Sequence, residues 1–266
     1  MLIVQISDTH IAGWDKKACD ILPTAEKLLK CVEHINQLSP PADIVLVTGD
    51  ITNEGRLEEA EQAADILSKL SCPFYIVPGN HDDREILSSV FGKDVCPLDS
   101  EGFINYTLED YELRLIGLDS VDQGKSNGKV SKKRARWLGE RLAERTDRPT
   151  IIFMHHPPVK CGVLETDVEI FKGAERLGNI IERYSNIERI LCGHIHTQAH
   201  IKWRGTVITT GPSSSGMKIV VDLTLRNPSK FFVESPSYLL HYWSPEKKLI
   251  THRIDVEKLE GPYFFE

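Results

Sequence analysis

CPFYIVPGNHD, at residues 72–82, is an apolar run that breaks at Pro-Gly and then presents an amide, an imidazole and a carboxylate. A short apolar run bounded by such turn residues is typical of a buried strand. Asn80, His81 and Asp82 would then follow the carboxyl end of that strand. The stretch therefore predicts a buried strand that leads directly into residues suited to metal binding or acid–base chemistry.

Four further apolar runs lead into residues of the same kind. They are residues 1–7 before Asp8-Thr9-His10, residues 44–47 before Gly49-Asp50, residues 151–154 before His155-His156-Pro157, and residues 190–192 before Gly193-His194-Ile195-His196. Open α/β sheets bind their ligands outside the carboxyl ends of the strands. The five runs together therefore predict that these polar residues meet at one edge of a sheet.

The segments between the first runs have helical periodicity. Apolar residues recur every three or four positions over 21–38 and 57–70, which predicts two amphipathic helices. They alternate with the strand at the start of the chain and with strands at 43–47 and 73–77. This β-α-β-α-β order is typical of parallel strands in an α/β fold.

The remainder of the chain is richer in strands. The predicted elements are a hairpin over 103–108 and 112–118, helices over 131–142 and 172–184, and strands at 150–154, 188–192, 199–203, 206–210, 217–223, 237–243 and 248–255. The strands from about residue 199 onward are predicted to be antiparallel. We expect this strand-rich half to form a second sheet packed on the first, within a single domain that covers residues 1–266.

Residues 226–236 fit neither the helical nor the strand period. The segment holds two prolines and the pair Phe231 and Phe232, which suggests an excursion from the sheet. One interpretation is a surface loop whose aromatic rings pack back on the core. The other is an arm that covers the site as a lid or contacts a second subunit in a homodimer or higher homo-oligomer.

Charge and hydropathy exclude several classes of partner. The net charge of −7 disfavours a surface that coats a nucleic-acid polymer, because such a surface needs clustered Lys and Arg to neutralise phosphates. No apolar run is long enough to span a membrane, and residues 1–7 lack the basic start and cleavage site of a signal peptide. We therefore expect a cytoplasmic protein without a membrane partner.

Polar residues at the five strand ends supply a set of metal donors. The seven candidate ligands are Asp8, His10, Asp50, Asn80, His155, His194 and His196. Buried together without a cation, these carboxylates and imidazoles would be costly. Nitrogen and oxygen donors without thiolate suit Mn, Fe, Zn or Co.

Seven donors exceed the need of one open catalytic ion, so two divalent ions are expected. Asp50, at the end of the second strand, is the natural bridge between them. The first ion is assigned to Asp8, His10, Asp50 and His196, and the second to Asp50, Asn80, His155 and His194. A separation of about 3.5–4 Å is expected for such a pair.

The charge of these seven donors limits which substrates the site would attract. Only Asp8 and Asp50 are anionic, so two divalent ions would leave a net positive site that attracts a phosphate ester. An aspartate in place of Asn80 would coordinate equally well but would cancel part of that charge. The expected chemistry is attack on phosphorus by a metal-bridging hydroxide, with the metals neutralising the equatorial oxygens.

The five motifs, in this order, resemble the signatures of the calcineurin-like metallophosphoesterases. The resemblance spans residues 1 to about 200 and implies a four-layer α/β/β/α sandwich with two mixed β-sheets. Ser7-Asp8-Thr9-His10, Pro78-Gly79-Asn80-His81-Asp82-Asp83 and Phe153-Met154-His155-His156-Pro157-Pro158 look most like bacterial class III cyclic-nucleotide phosphodiesterases and their glycerophosphodiesterase relatives.

The resemblance also implies roles for the remaining polar residues. His81 is implied to stand beside the phosphate, where it stabilises the transition state or protonates the leaving oxygen. Asp82 is implied to orient His81 or its loop. His155 matches the ligand of the family's His-x-Pro pattern, which leaves His156 at the rim of the substrate pocket or in contact with the ligands.

The expected function is therefore a binuclear metal-dependent phosphodiesterase. Its substrate would be a small diester, either a 3′,5′-cyclic nucleotide such as cyclic AMP or a glycerophosphodiester. A phosphomonoesterase or a nucleotide pyrophosphatase remains an alternative, and a DNA exonuclease is disfavoured by the acidic composition. A non-catalytic interaction module with this fold would be expected to lack ligands or His81, and all of them are present.

Overall fold

The computed structural model describes residues 1–168, 170–224, 226 and 230–257. In chain order the elements are β1 (Leu2–Ile6), α1 (Thr24–Asn36), β2 (Ile44–Val47), α2 (Leu57–Leu67), β3 (Phe74–Ile76), α3 (Arg84–Phe91), β4 (Tyr106–Leu108), β5 (Arg114–Gly117), α4 (Lys132–Glu144), β6 (Thr150–Phe153), α5 (Leu164–Val168), α6 (Ala174–Ile181), β7 (Ile187–Cys192), β8 (Ala199–Trp203), β9 (Thr206–Thr210), β10 (Met217–Ile219), β11 (Phe231–Val233), β12 (Ser237–Trp243) and β13 (Leu249–Asp255). None of the described helices is both long and apolar enough to cross a membrane.

The first sheet has the strand order β13-β12-β1-β2-β3. β1, β2 and β3 are parallel, with Ile3 beside Ile44 and Val47 beside Ile76. β12 runs antiparallel to β1, and β13 runs antiparallel to β12. The carboxyl ends of the three parallel strands therefore lie at one edge, as the β-α-β-α-β pattern predicted.

The second sheet has the order β4-β5-β6-β7-β9-β8. β5, β6, β7 and β9 are parallel, and β4 and β8 are antiparallel strands at its two edges. Both sheets are thus mixed, as predicted.

Two topological predictions were wrong in part. The strands after residue 199 are not all antiparallel, since β9 is parallel to β7, and the strand-rich half does not lie wholly in the second sheet, since β12 and β13 complete the first. The physical reason lies in β1, whose residues from Ile3 to Ile6 are all buried. A strand covered on both faces is stable in a sheet interior, so β1 pairs with β2 on one side and with β12 on the other.

Two apolar layers show how the sheets and helices pack. One lies between the sheets and reaches α1 and α2, so Leu115, Ile151 and Phe153 of the second sheet share it with Ile3 and Leu28. The other lies on the outer face of the second sheet, against α4 and α6. It contains the alternate residues of the same strands, including Ile116, Ile152, Leu138 and Leu177. The order helix, sheet, sheet, helix confirms the predicted α/β/β/α sandwich.

The segment 226–236 is described in part, because residues 227–229 lie outside the described residues. Its remainder contains β11, which pairs antiparallel with β10 as a two-stranded sheet. Phe231 is half-buried and packs against a small cluster that includes Leu22, whereas Phe232 is 63% exposed. Phe231 therefore packs inward, as a surface loop on the core would, whereas Phe232 faces outward, as an arm would.

Candidate metal centre

Loops that follow five parallel strands meet between the two sheets. The loop after β1 bonds to the loop after β2, since the Asp8 amide donates to the Gly49 carbonyl at 3.0 Å. The loop after β7 reaches the same place, because the His194 amide donates to Asp8 Oδ1 at 2.9 Å. His155, after β6, donates from Nδ1 to the Thr48 carbonyl at 2.7 Å. The loop after β3 joins them, because the His81 amide donates to Asp50 Oδ1 at 2.9 Å. The predicted convergence of the five strand ends is thus confirmed.

Asp8, His10, Asp50 and His196 form one cluster, in which each residue has a ligand atom within 4.8 Å of the others, and all four are buried. His10 Nε2 lies 3.0 Å from His196 Nε2 and 3.8 Å from Asp50 Oδ2. His196 Nε2 is 3.5 Å from Asp8 Oδ1. Two nitrogen donors bound to one ion at about 2.0–2.1 Å would themselves be about 3 Å apart. The spacing of this cluster therefore fits a single cation.

His155, His156 and His194 form a second cluster with ligand atoms within 4.8 Å. Because His155 Nδ1 donates to a carbonyl oxygen, its Nε2 is the nitrogen left to bind a cation. That Nε2 is fully buried and has no hydrogen-bond partner of good geometry; the nearest acceptor is Asp50 Oδ2, 3.2 Å away. A buried donor atom without a partner is costly. A metal ion would supply that partner, so the residues fit a metal here as well.

His156 lies in this second cluster, but its Nε2 is already engaged. That nitrogen is 3.1 Å from the Ser126 carbonyl and 3.1 Å from Asn80 Oδ1. Because a carbonyl only accepts, Nε2 carries the proton and donates. Burial and the neighbouring His194 hold the pKa of His156 well below its usual value, so the ring is neutral and Nδ1 accepts from Ser120 Oγ at 2.9 Å. His156 therefore orients the Asn80 amide oxygen.

Asp50 lies between the two clusters. Its Oδ2 faces His10 on one side and His155 on the other, at 3.8 and 3.2 Å from their Nε2 atoms. Its Oδ1 accepts the His81 amide at 2.9 Å. Burial alone would raise the pKa of Asp50, but the nearby His155 outweighs it and holds the pKa well below the usual range. The carboxylate is therefore ionised and available to both clusters.

The imidazoles around Asp50 have divergent pKa values. Burial holds the pKa of His10 well below its usual value and lowers that of His194 to about 3, so both rings are neutral donors. Burial also opposes charge on His155, but the Asp50 carboxylate raises its pKa to about 9. Burial raises the pKa of Asp8. A bound cation would replace the protons that these groups share, since ligands bind metal in their deprotonated form.

His81 stands at the exposed side of the first cluster. Its Nδ1 donates to the Asn53 carbonyl at 2.7 Å, which leaves Nε2 free. Its ring meets that of His10 edge-on, with 4.8 Å between centroids. Burial opposes protonation of His81, but Asp50 and the Asn53 carbonyl outweigh it and raise its pKa.

Backbone strain concentrates at the candidate ligands. The residues with left-handed φ angles include Asp8 (53°), His10 (44°), Asp50 (50°), His194 (73°) and His196 (49°). Such conformations cost of order 1–3 kcal/mol each for a non-glycine residue and persist only where the surroundings enforce them. Five of the seven candidate ligands thus adopt a backbone that orients a side chain at the expense of stability.

Two motif glycines are explained by close approach. A Cβ on Gly79 would collide with the Asp50 carboxylate, and a Cβ on Gly193 would collide with Ser7 Oγ and lie 2.9 Å from Asp8 Oδ2. Both positions therefore require glycine because the backbone passes directly against a candidate ligand.

Asp82 supports the loops and touches no ring of the site. Its buried carboxylate accepts the amides of Ile51, Thr52 and Gly79, at 3.0, 2.9 and 2.8 Å, and the Thr52 hydroxyl at 2.7 Å. These bonds tie the loop after β3 to the loop after β2. Asp82 thereby fixes the positions of Asp50 and Asn80 relative to each other.

We expect Asp82→Ala to lower the free energy of unfolding of the metal-free protein by about 3 kcal/mol or more, because several buried amides lose their acceptor. Urea denaturation measures this difference. Asp94→Ala is the matched control, since Asp94 is exposed, and should stay within about 0.5 kcal/mol. Equal stability of Asp82→Ala and wild-type protein would contradict the supporting role.

Two serines that contact the site are absent from the sequence prediction. Ser120 lies two residues after the predicted strand 112–118, so the rule applied to the other strand ends would have found it. Ser213 lies three residues after the predicted strand 206–210, but that strand was predicted to be antiparallel, so its end was not expected at this edge. Its Oγ donates to the Asp8 carbonyl at 2.7 Å, and the next residue's amide donates to the Ser7 carbonyl at 2.8 Å. These bonds help to hold Asp8 in its left-handed conformation.

Fold and site together define an α/β/β/α sandwich with a histidine–aspartate centre able to hold metal between its sheets. The chain belongs to the calcineurin-like phosphoesterase family, whose family model matches residues 1–198. Membership and the donor clusters together imply bound divalent metal.

Individual relatives extend the match beyond residue 198. The chain is 38% identical over 266 residues, all of this chain and 97% of its relative, to a probable glycerophosphodiester phosphodiesterase, GpdQ, of Arcobacter nitrofigilis. It is 26% identical over 80% of this chain and 75% of its relative to the 3′,5′-cyclic adenosine monophosphate phosphodiesterase CpdA of Escherichia coli K12. A dimetal phosphatase from Danio rerio has the same fold, with a TM-score of 0.65, 15% identity, and coverage of 97% of this chain and 99% of that one.

Proposed function

We propose that this protein is a binuclear metal-dependent phosphodiesterase that hydrolyses small phosphodiesters. The observation that carries the proposal is the position of Asp50, whose Oδ2 faces an imidazole nitrogen of each donor cluster. One carboxylate shared between two sets of imidazoles is the arrangement expected of a two-ion site.

The proposed ligands follow the two clusters. Asp8, His10, Asp50 and His196 hold the first ion, and Asp50, Asn80, His155 and His194 hold the second. Asn80 is preferred to His156 because the His156 Nε2 proton points at the Asn80 amide oxygen and the Ser126 carbonyl. Mn, Fe, Zn and Co all suit these donors.

Divalent ions at these positions would act as Lewis acids toward the phosphate oxygens. They would also lower the pKa of water, so that it is nucleophilic at neutral pH. The protein's own residues do the remaining work. Asp82 and Ser213 hold the strained loops in place, and His156 donates from Nε2 to the Asn80 oxygen and so limits its orientation. His81 presents its free Nε2 beside the first cluster, where it protonates the leaving oxygen or stabilises charge on the phosphate.

A diester is favoured over a monoester by the two bacterial relatives described above, because both carry phosphodiesterase names. Those names also give the two candidate substrates, a glycerophosphodiester and a 3′,5′-cyclic nucleotide.

A substrate panel on metal-depleted protein tests the proposal. Mn, Fe, Zn and Co are added back singly, and hydrolysis of cyclic AMP, glycerophosphoethanolamine, bis(p-nitrophenyl) phosphate and p-nitrophenyl phosphate is measured. We expect no turnover without metal and faster diester than monoester hydrolysis with at least one ion. Faster monoester hydrolysis with every ion would overturn the diester assignment.

We also propose that residues 1–266 form a single domain and that residues 226–236 form an arm on it. β10 and β11 stand apart from both large sheets, and Phe232 and Val233 expose 63% and 54% of their surface. Adjacent exposed apolar side chains on a separate two-stranded sheet suit contact with a second copy of the chain.

We expect Phe232→Ser to weaken self-association by about tenfold or more, because exposed aromatic residues supply much of the binding energy at interfaces. Light scattering over a concentration series measures the change in mass. Leu57→Ser, which removes a side chain 50% exposed on α2, is the matched control and should leave the mass unchanged. An unchanged mass in Phe232→Ser would refute the arm as an interface.

A further inference from the structure

A cavity of about 140 Å³ opens beside the second donor cluster. His156 and His194 form the end nearest to the metal centre. The remaining wall comes from the loop after β5, the loop after β6, α5, the segment between α5 and α6, and the start of α6. It is mainly apolar and includes Pro157, Pro158, Val159, Phe171 and Ala174. We call this space the loop cavity. A substituent on a phosphate bound at the metal centre would enter it directly, because His194 belongs to both.

The position of Phe171 is fixed by backbone bonds. The Lys172 amide donates to the Gly128 carbonyl at 2.8 Å, and the Val130 amide donates to the Lys172 carbonyl at 2.9 Å. A Cβ on Gly128 would lie 2.5 Å from Phe171 Cδ2 and 2.5 Å from His156 Cβ, so the chain at Gly128 packs tightly against both side chains. The aromatic wall is therefore formed before any ligand arrives, which lowers the entropic cost of binding.

Among the described residues, Asp167 does not offer a binding site for a cationic substituent in the loop cavity. Both Asp167 oxygens are engaged, since they accept the amides of Cys161 and Gly162 at 2.7 Å each. Asp167 thereby closes the turn that carries α5. Lys160 is exposed at the rim. Apart from the ring nitrogens of the site, the described wall presents mostly carbon to an incoming group.

We propose that the loop cavity binds a flat, uncharged ring on the phosphoester, so that the enzyme prefers aryl esters to glycerol esters. The inference rests on the proposed function for the position of the phosphate. An engineered apolar cavity of about 150 Å³ holds one benzene molecule, so the volume suits a single aromatic ring. A glycerol substituent would lose hydrogen bonds to water against a wall that offers few replacements.

Two phosphonates that differ only in this substituent test the inference without requiring turnover. Phenylphosphonate and methylphosphonate are titrated into metal-loaded protein by calorimetry. We expect wild-type protein to bind phenylphosphonate about tenfold or more tightly than methylphosphonate, the scale of discrimination that apolar pockets achieve. In Ala174→Leu, which fills the loop cavity, affinity for phenylphosphonate should fall about tenfold while affinity for methylphosphonate changes less than about twofold.

Ala64→Leu is the matched control, because Ala64 is a half-buried helical alanine on α2 and should alter neither affinity. Val159→Phe fills the cavity from another wall and replaces Ala174→Leu if that variant does not fold. Equal affinity of wild-type protein for the two phosphonates, or an equal loss of both in the filled variants, would overturn the proposal. Failure of the proposed function is distinct from either result, since it would appear as absent hydrolysis across the substrate panel.

Discussion

Asp50→Ala is expected to lose both metal ions and all measurable phosphodiester hydrolysis. Oδ2 of Asp50 is placed to serve both donor clusters, 3.8 Å from His10 Nε2 and 3.2 Å from His155 Nε2. Its Oδ1 also holds the His81 amide, so the loop that carries Asn80 loses an anchor in the variant. Removal of one residue should therefore affect both ions, whereas removal of Asn80 should weaken the second ion alone.

Elemental analysis after desalting measures this loss, and thermal unfolding gives a second readout. Metal that binds only the folded state raises stability, so excess metal should raise the unfolding midpoint of wild-type protein and leave that of Asp50→Ala unchanged. Asp50→Asn keeps the shape of the side chain and guards against a folding defect. Asp65→Ala, at an exposed carboxylate on α2, is the control and should retain full metal content. Two ions bound to Asp50→Ala would refute the bridge.

The location of the site could be predicted from the sequence because strand ends carry a local signal. Gly49, Gly79 and Gly193 each interrupt an apolar run, and the structure shows what two of these glycines do: Gly79 and Gly193 leave room for Asp50 and Asp8. Parallel strands then bring such positions to one edge without further information. The sandwich followed from a resemblance, and two separate apolar layers confirm it.

Strand pairing over long separations could not be predicted in the same way. β12 joins β1 across more than two hundred residues, with Leu240 beside Val4. The apolar pattern of β12 does not indicate whether this strand adds to the first sheet or to the second. α3 was also missed, because its N-cap Asp83, which accepts the amides of Glu85 and Ile86, directly follows the Gly-Asn-His-Asp motif. Because that stretch was interpreted as part of the metal site, Asp83 was not recognised as an N-cap residue that begins a helix.

The role of His156 depended on hydrogen bonds that a sequence does not contain. Spacing left His155 and His156 as alternatives, and a family pattern favoured His155. The structure adds a physical reason, since the Ser126 carbonyl requires a proton on His156 Nε2. The Thr48 carbonyl requires one on His155 Nδ1, which leaves His155 Nε2 open to a cation. The two histidines are neighbours in the chain, but the carbonyl oxygens place their protons on different nitrogens: Nδ1 in His155 and Nε2 in His156.

His81→Ala should slow diester hydrolysis by about 10²–10⁴-fold while both metal ions stay bound, because general acid–base groups contribute on that scale. His81 shares no hydrogen bond with the candidate ligands except through its backbone amide, which alanine retains. Its Nδ1 is fixed by the Asn53 carbonyl, so only Nε2 can serve the substrate. Metal content by elemental analysis and kcat by steady-state kinetics therefore separate a catalytic role from a structural one.

The size of the loss should depend on the leaving group. If Nε2 of His81 protonates the leaving oxygen, glycerophosphoethanolamine, which releases an alkoxide, should lose more rate than bis(p-nitrophenyl) phosphate, whose p-nitrophenolate needs no proton. Equal losses for both substrates would assign His81 to charge stabilisation instead. His252→Ala, at an exposed histidine on β13, is the matched control and should keep wild-type kcat. An unchanged kcat in metal-loaded His81→Ala would exclude both roles, because each of them requires Nε2 of the missing ring.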